Sequence, residues 1–175
     1  MTYTALAEAL QRVENVLTRR PDLGMHDDAP AQARWRQGTR VESQHANGAR
    51  MYTDMPSELG GSGEHVTPGW LFRAGVASCF ATTIVMVAAK EQIDLSDLEV
   101  LVTSRSDTRG LLSMNDEDGA PVYSGPRDVA MQVRIAAANA TPTRLRKLVD
   151  DCLLVSPMPN AVIGCTPMAL DIQVG

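Results

Sequence analysis

Cys79 is the residue of this chain whose type and setting raise a question of chemistry. It stands inside Trp70-Leu-Phe-Arg-Ala-Gly-Val-Ala-Ser-Cys-Phe-Ala-Thr-Thr-Ile-Val-Met-Val-Ala-Ala89, a run in which Arg73 is the single charge. A thiol buried among apolar side chains has a raised pKa and is inert, whereas a thiolate beside a cation is a nucleophile. The other two cysteines, Cys152 and Cys165, are far away in sequence, and an odd, widely spaced set describes neither a disulfide scaffold nor a zinc site. His26, His45 and His65 are scattered through loops without metal-ligand spacing, so no metal is expected. Ser78 lacks the Gly-x-Ser-x-Gly frame of a nucleophile elbow. Gly60-Gly-Ser-Gly63 lacks the lysine of a phosphate loop, and no cofactor is expected.

The elements around Cys79 follow from periodicity and caps. Leu6, Leu10, Val13, Val16 and Leu17 predict an amphipathic helix over residues 4–18 with Thr4 as N-cap, and residues 20–31 read as a linker. Partial alternation predicts one strand from Ala33 to Ser43. Asn47-Gly48 then marks a hairpin turn, with Ala49 to Met55 as its return strand. Thr67-Pro68, a cap followed by proline at the first helical position, opens the helix that carries Cys79 to about Gln92. Strands are predicted over residues 98–106 and 129–135, and a helix from Thr141-Pro142 through Leu154 that Pro157 and Pro159 break. Met168 to Val174 completes the pattern as a closing strand. This order without regular alternation is α+β, with antiparallel sheets around a buried central helix.

Composition bounds the function. One domain of this length buries a core, with 44% hydrophobic and 21% charged residues. The net charge of 16 − 21 = −5 argues against a nucleic-acid or anionic-membrane partner. Residues 70–89 have the length of a membrane span, but Arg73, Gly75, Ser78, Thr82 and Thr83 dilute the run and no basic flank orients it, so a core helix in a cytoplasmic protein is the expectation. Ala74, Gly75, Ala77, Ser78 and Ala81 give that helix a small-residue surface on which another helix can approach closely. A homodimer that supplies the same helix would bury it.

Pro56-Ser-Glu-Leu-Gly-Gly61, Thr67-Pro68 and Leu71-Phe-Arg-Ala-Gly-Val-Ala-Ser-Cys79-Phe80 resemble the OsmC/Ohr family of osmotically induced and organic hydroperoxide resistance proteins. The resemblance extends over residues 31–175, leaving residues 1–30 as an added helix and linker. It implies an interlocked α+β homodimer and thiol-dependent reduction of hydroperoxides. In that chemistry Cys79 attacks the distal peroxide oxygen and becomes a sulfenic acid, which a second cysteine resolves as a disulfide. Arg40 or Arg36 would stand as the cation beside the thiolate.

Two positions depart from the family pattern. Where the resolving cysteine is expected the chain reads Ser156-Pro157, and a hydroxyl forms no disulfide. Where the hydroperoxide-resistance branch has a glutamate the chain has Gly69, leaving Glu58 or Glu64 to supply a carboxylate to the arginine. Cys152 or Cys165 could act as resolver, or an external thiol could, with the sulfenic acid otherwise exposed to overoxidation. The resemblance therefore supports two functions. One is a peroxidase-like enzyme using a small hydroperoxide and an external thiol reductant. The other is a catalytically degenerate dimer that binds a small ligand in the same pocket.

Overall fold

The computed structural model describes residues 3–175 and contains both helices and sheets. The elements are α1 (Tyr3–Arg19), β1 (Gln32–Gln37), β2 (Arg40–Gln44), β3 (Arg50–Thr53), α2 (Pro68–Lys90), β4 (Leu95–Arg105), α3 (Thr108–Leu111), β5 (Arg127–Ala137), α4 (Pro142–Val155) and α5 (Pro157–Ile163). β1, β2 and β3 form an antiparallel sheet in that order, and β4 pairs with β5. The chain divides into two compact units. The first holds the segment through Leu10, Val76–Leu101 and Gln132–Gly175; the second holds Gln11–Gly75 and Val102–Met131.

The first unit owes its core to the C-terminal part of α2 and to α4. Val76, Phe80, Ile84, Ala88 and Ala89 of α2 are buried, as are Leu145, Leu148 and Cys152 of α4. The α2 helix ends because Gln92 turns into the left-handed region at φ 56°. Its N–H then bonds to Ala89 O at 3.2 Å and the Ile93 N–H to Ala88 O at 2.9 Å. This is the reverse turn that usually needs glycine. Asn139 supports it, donating from Nδ2 to Gln92 O at 2.8 Å while its Oδ1 accepts from Asp94 N at 2.9 Å. The α4 helix starts where expected, with Thr141 Oγ1 accepting from Arg144 N at 3.3 Å and Pro142 in the first turn.

The second unit contains the three-stranded sheet. Two sequence expectations are corrected here. The segment expected as one strand over 33–43 is two, because Gly38 at φ 53° turns the chain so that Trp35 pairs with Val41 and Arg34 with Glu42. The next hairpin pairs Gln44 with Arg50 across the Asn47-Gly48 turn, as expected. Thr4, which belongs to the first unit, is not an N-cap; it lies inside α1. Gly61 is needed for close approach, since a Cβ there would meet Met55 O and crowd Asp54 Oδ1.

Pro157 and Pro159 break α4 as expected, with Ser156 extended before Pro157, and the same prolines then open α5, a helix the sequence did not announce. One more expectation fails in the first unit. The expected closing strand is absent, for residues 168–174 form no regular element and pair with no strand, Met168 being 94% and Val174 90% exposed.

Candidate functional site

The Cys79 thiol, half-buried, is met by groups from the end of α4 and the start of α5, all in the first unit. Its Sγ lies 3.7 Å from Ser156 Oγ. The Met158 N–H donates to the same sulfur at 3.4 Å. Thr83, one turn after Cys79 on α2, places its Oγ1 3.0 Å from Cys79 O and 3.2 Å from Ser156 Oγ. Each hydroxyl has one proton, so the three groups form a directed chain. When Cys79 is a thiolate it can only accept, and Ser156 O–H and Met158 N–H become its donors.

Local sequence explains why those donors are free. Ser156 sits at the N-cap of α5, yet its side chain makes no bond to the helix it precedes. In the first turn of α5 Pro157 and Pro159 have no N–H, and Asn160 N bonds Ser156 O at 3.1 Å. Met158 is therefore the single orphan donor of that turn, and the Cys79 sulfur takes the place a cap would fill. Ser156 itself is fully buried and its hydroxyl is satisfied within this chain.

Cys152, one helical turn before Ser156, is fully buried, and burial pushes its thiol up to about 11, with Glu91 and Asp151 adding to the shift. It is a packing residue at neutral pH. Cys165 is exposed, in the segment after α5.

The arginines expected beside the thiolate belong to the second unit and have their own partners. Arg36 is paired at 2.9 Å with Glu42, a buried carboxylate that Arg50 also approaches at 3.6 Å. Arg40, 27% exposed along its side chain, donates to Glu64 Oε2 at 2.8 Å and to Ser62 Oγ at 3.3 Å, while its Nε is buried without a partner. Of the two loop carboxylates, Glu64 thus reaches the arginine, and Glu58 instead accepts from Ser57 Oγ at 3.2 Å.

Arg40 lines an open cavity of 410 Å³ together with Gln37, Gly38, Thr39, Asp54 and Gly61. Asp54, 3% exposed, fixes this corner. It accepts from Thr39 Oγ1 at 2.5 Å, from Ser62 Oγ at 2.7 Å and N at 3.0 Å, and from Met55 N at 2.8 Å. The Thr39 bond, then those of Ser62, hold its carboxyl far below the usual carboxylate range. Sequence reading missed Thr39, Asp54, Thr83 and Met158. Thr83 alone had a signal, its spacing of one turn from Cys79.

Comparison with known proteins agrees with this architecture. Residues 61–171 match the family model described as OsmC-like protein. An OsmC-like protein from Mycoplasma pneumoniae is similar in structure with TM-score 0.66 at 20% identity, covering 80% of this chain and 90% of that one. An organic hydroperoxide resistance protein from Legionella pneumophila gives 0.57 at 24% identity, over 80% and 92%. A putative organic hydroperoxide resistance protein from Vibrio cholerae, with captopril bound in one of its active sites, gives 0.54 at 25% identity, over 80% and 88%. No curated protein sequence matches the chain. With the family model spanning most of its length and the α+β fold in common, the chain belongs to the OsmC-like protein family.

Proposed function

We propose that this protein is a thiol-dependent organic hydroperoxide reductase in which the Cys79 thiolate attacks the distal peroxide oxygen. The O–O bond breaks, the sulfur becomes a sulfenic acid, and the departing alkoxide takes a proton to leave as alcohol. The observation that carries the reading is the pair of donors at the sulfur, Ser156 Oγ at 3.7 Å and Met158 N at 3.4 Å, around a half-buried thiol. A cysteine kept for packing alone would sit as Cys152 does, fully buried. Arg40, held by Glu64 and Ser62, is the proposed cation, with Glu64 taking the part that Gly69 cannot. Arg36 is the less favoured candidate, because its partner Glu42 is a buried carboxylate whereas Glu64 beside Arg40 is exposed.

Ser156 leaves the site without a resolving cysteine at that position, and the burial of Cys152 disfavours it as substitute. Reduction is therefore assigned to an external small thiol. The proposed protein is a homodimer of the domain spanning residues 31–175, with residues 1–30 as an addition, and works in the reducing cytoplasm. The loss of the second cysteine and of the glutamate at Gly69 supports a second reading, a ligand-binding dimer without turnover.

Turnover separates the two. The parent protein should consume cumene hydroperoxide with dithiothreitol as reductant, Cys79→Ser should lose the activity altogether, and Arg40→Ala should lower it by about tenfold or more, the loss of one charge-assisted contact. A parent with no more activity than Cys79→Ser leaves only the binding reading.

A further inference from the structure

The Met158 amide does more at this site than donate a hydrogen bond. We infer that the oxidised Cys79 condenses with the backbone nitrogen of Met158 to form a sulfenamide, a covalent cap that stands in for the missing disulfide. This rests on the proposed peroxide chemistry of Cys79. The nitrogen lies 3.4 Å from the sulfur, in van der Waals contact and already directed at it. Sulfenic acids condense with backbone nitrogens when no thiol is at hand, and the hydroxyl of Ser156 in the resolving position supplies none.

Three features favour this nitrogen. Its N–H makes no bond inside α5, so replacing the hydrogen breaks no helical hydrogen bond, for the same reason that proline is accepted in a first turn. The two elements are already fixed to each other by the Thr83–Ser156–Cys79 hydroxyl chain, so little further ordering is required. Cys152 is fully buried and kept as a thiol, whereas the amide is in direct contact with the Cys79 sulfur.

The step balances without another reactant. The nitrogen forms a bond to sulfur, the S–O bond breaks, and the hydroxide leaves with the amide proton as water; the oxidation state of sulfur does not change. An external thiol then attacks the sulfur, the S–N bond breaks and the nitrogen regains its proton. A second thiol releases Cys79 from the mixed disulfide, the two thiols supplying the electrons that reduce the peroxide. The sulfenamide stage would hold Cys79 out of reach of overoxidation while the reductant is scarce.

The test uses the full chain with Cys152→Ala and Cys165→Ala, so that Cys79 is the sole cysteine. Oxidation with hydrogen peroxide generates the sulfenic acid even in a protein that turns over no organic hydroperoxide, and cumene hydroperoxide consumption is followed separately. The expected product is a monomer lighter by two hydrogens, restored by dithiothreitol, whose fragment spectrum links the peptide of Cys79 to that of Met158. Met158→Pro, which has no N–H, should instead gain one or two oxygens. A parent that gains oxygen and labels fully with dimedone overturns the sulfenamide but leaves the peroxidase reading standing. A mass that does not change overturns the sulfenamide, and the peroxidase reading falls with it when cumene hydroperoxide is not consumed either. A link that maps to another nitrogen also overturns the assignment.

Discussion

Ser156 ends α4 with its hydroxyl turned from the backbone it would ordinarily cap toward Cys79 and Thr83. A hydrogen bond to a charged group is worth about 1.5–3 kcal/mol, so Ser156→Ala should slow iodoacetamide alkylation of Cys79 at neutral pH roughly tenfold. Ser156→Cys should reverse the loss and give an intramolecular disulfide on oxidation. A variant without that disulfide would mean that the two side chains do not face each other. Asp54 makes a different prediction. Its carboxyl is held below the ordinary range, chiefly by Thr39 and Ser62, so its contribution to stability is full above the unfolded value of about 4 and is lost as pH falls toward the lower folded value. Asp54→Asn should therefore lower the urea midpoint at pH 7, and the gap to the parent should narrow by pH 3; an equal gap at both would remove the carboxylate from the account. At this scale the juxtaposition of Cys79 with Ser156 was legible in the sequence, because side chains carry types that can be read, while Arg40 beside the thiolate stays a proposal. The sequence did not show Met158, whose contribution is a backbone N–H common to every residue but proline. Nor did it show that Thr39, Ser62 and Met55 converge on Asp54, since short polar side chains in loops have no period to place them.

Among the elements, α2 was legible from end to end because a cap, a proline and a long, mostly apolar run all agree. The division at Gly38 was not, since alternation continues on both sides of a turn only two residues wide. The α5 helix was hidden because proline stops one helix and starts another with equal ease. The segment 168–174 has the period of two that suits a strand, but that period names no partner strand, and none pairs with it. The α2 helix carries its own prediction. It is long and apolar enough to cross a membrane, yet only 22% of its most apolar window is buried within one chain, and Gly75 faces open space with nothing within 4 Å of where a Cβ would stand. If a second copy crosses α2 near Gly75, Gly75→Leu should overpack that contact by about 1–3 kcal/mol and break the dimer, whereas a single chain has room for it. Light scattering should find a dimer for the parent and monomer or aggregate for the variant. A well-folded monomeric parent would remove the crossing.

For the molecule as a whole, the family was legible from a few loop and helix residues, while the homodimer remains a proposal. Trp35 at 72% exposed and Leu154 at 76% show how much apolar surface one copy leaves uncovered. The chain also carries a liability of its own. From Met168 to Val174 every second residue is apolar, Asp171 is the one charge, and the backbone is paired with no strand. Such an edge templates further strands from neighbouring molecules unless something covers it. Turbidity on standing should therefore rise steeply with protein concentration and fall when Leu170→Lys and Ile172→Lys place charges on that stripe. Colloidal solubility, rather than catalysis, would be set by those few residues beyond α5.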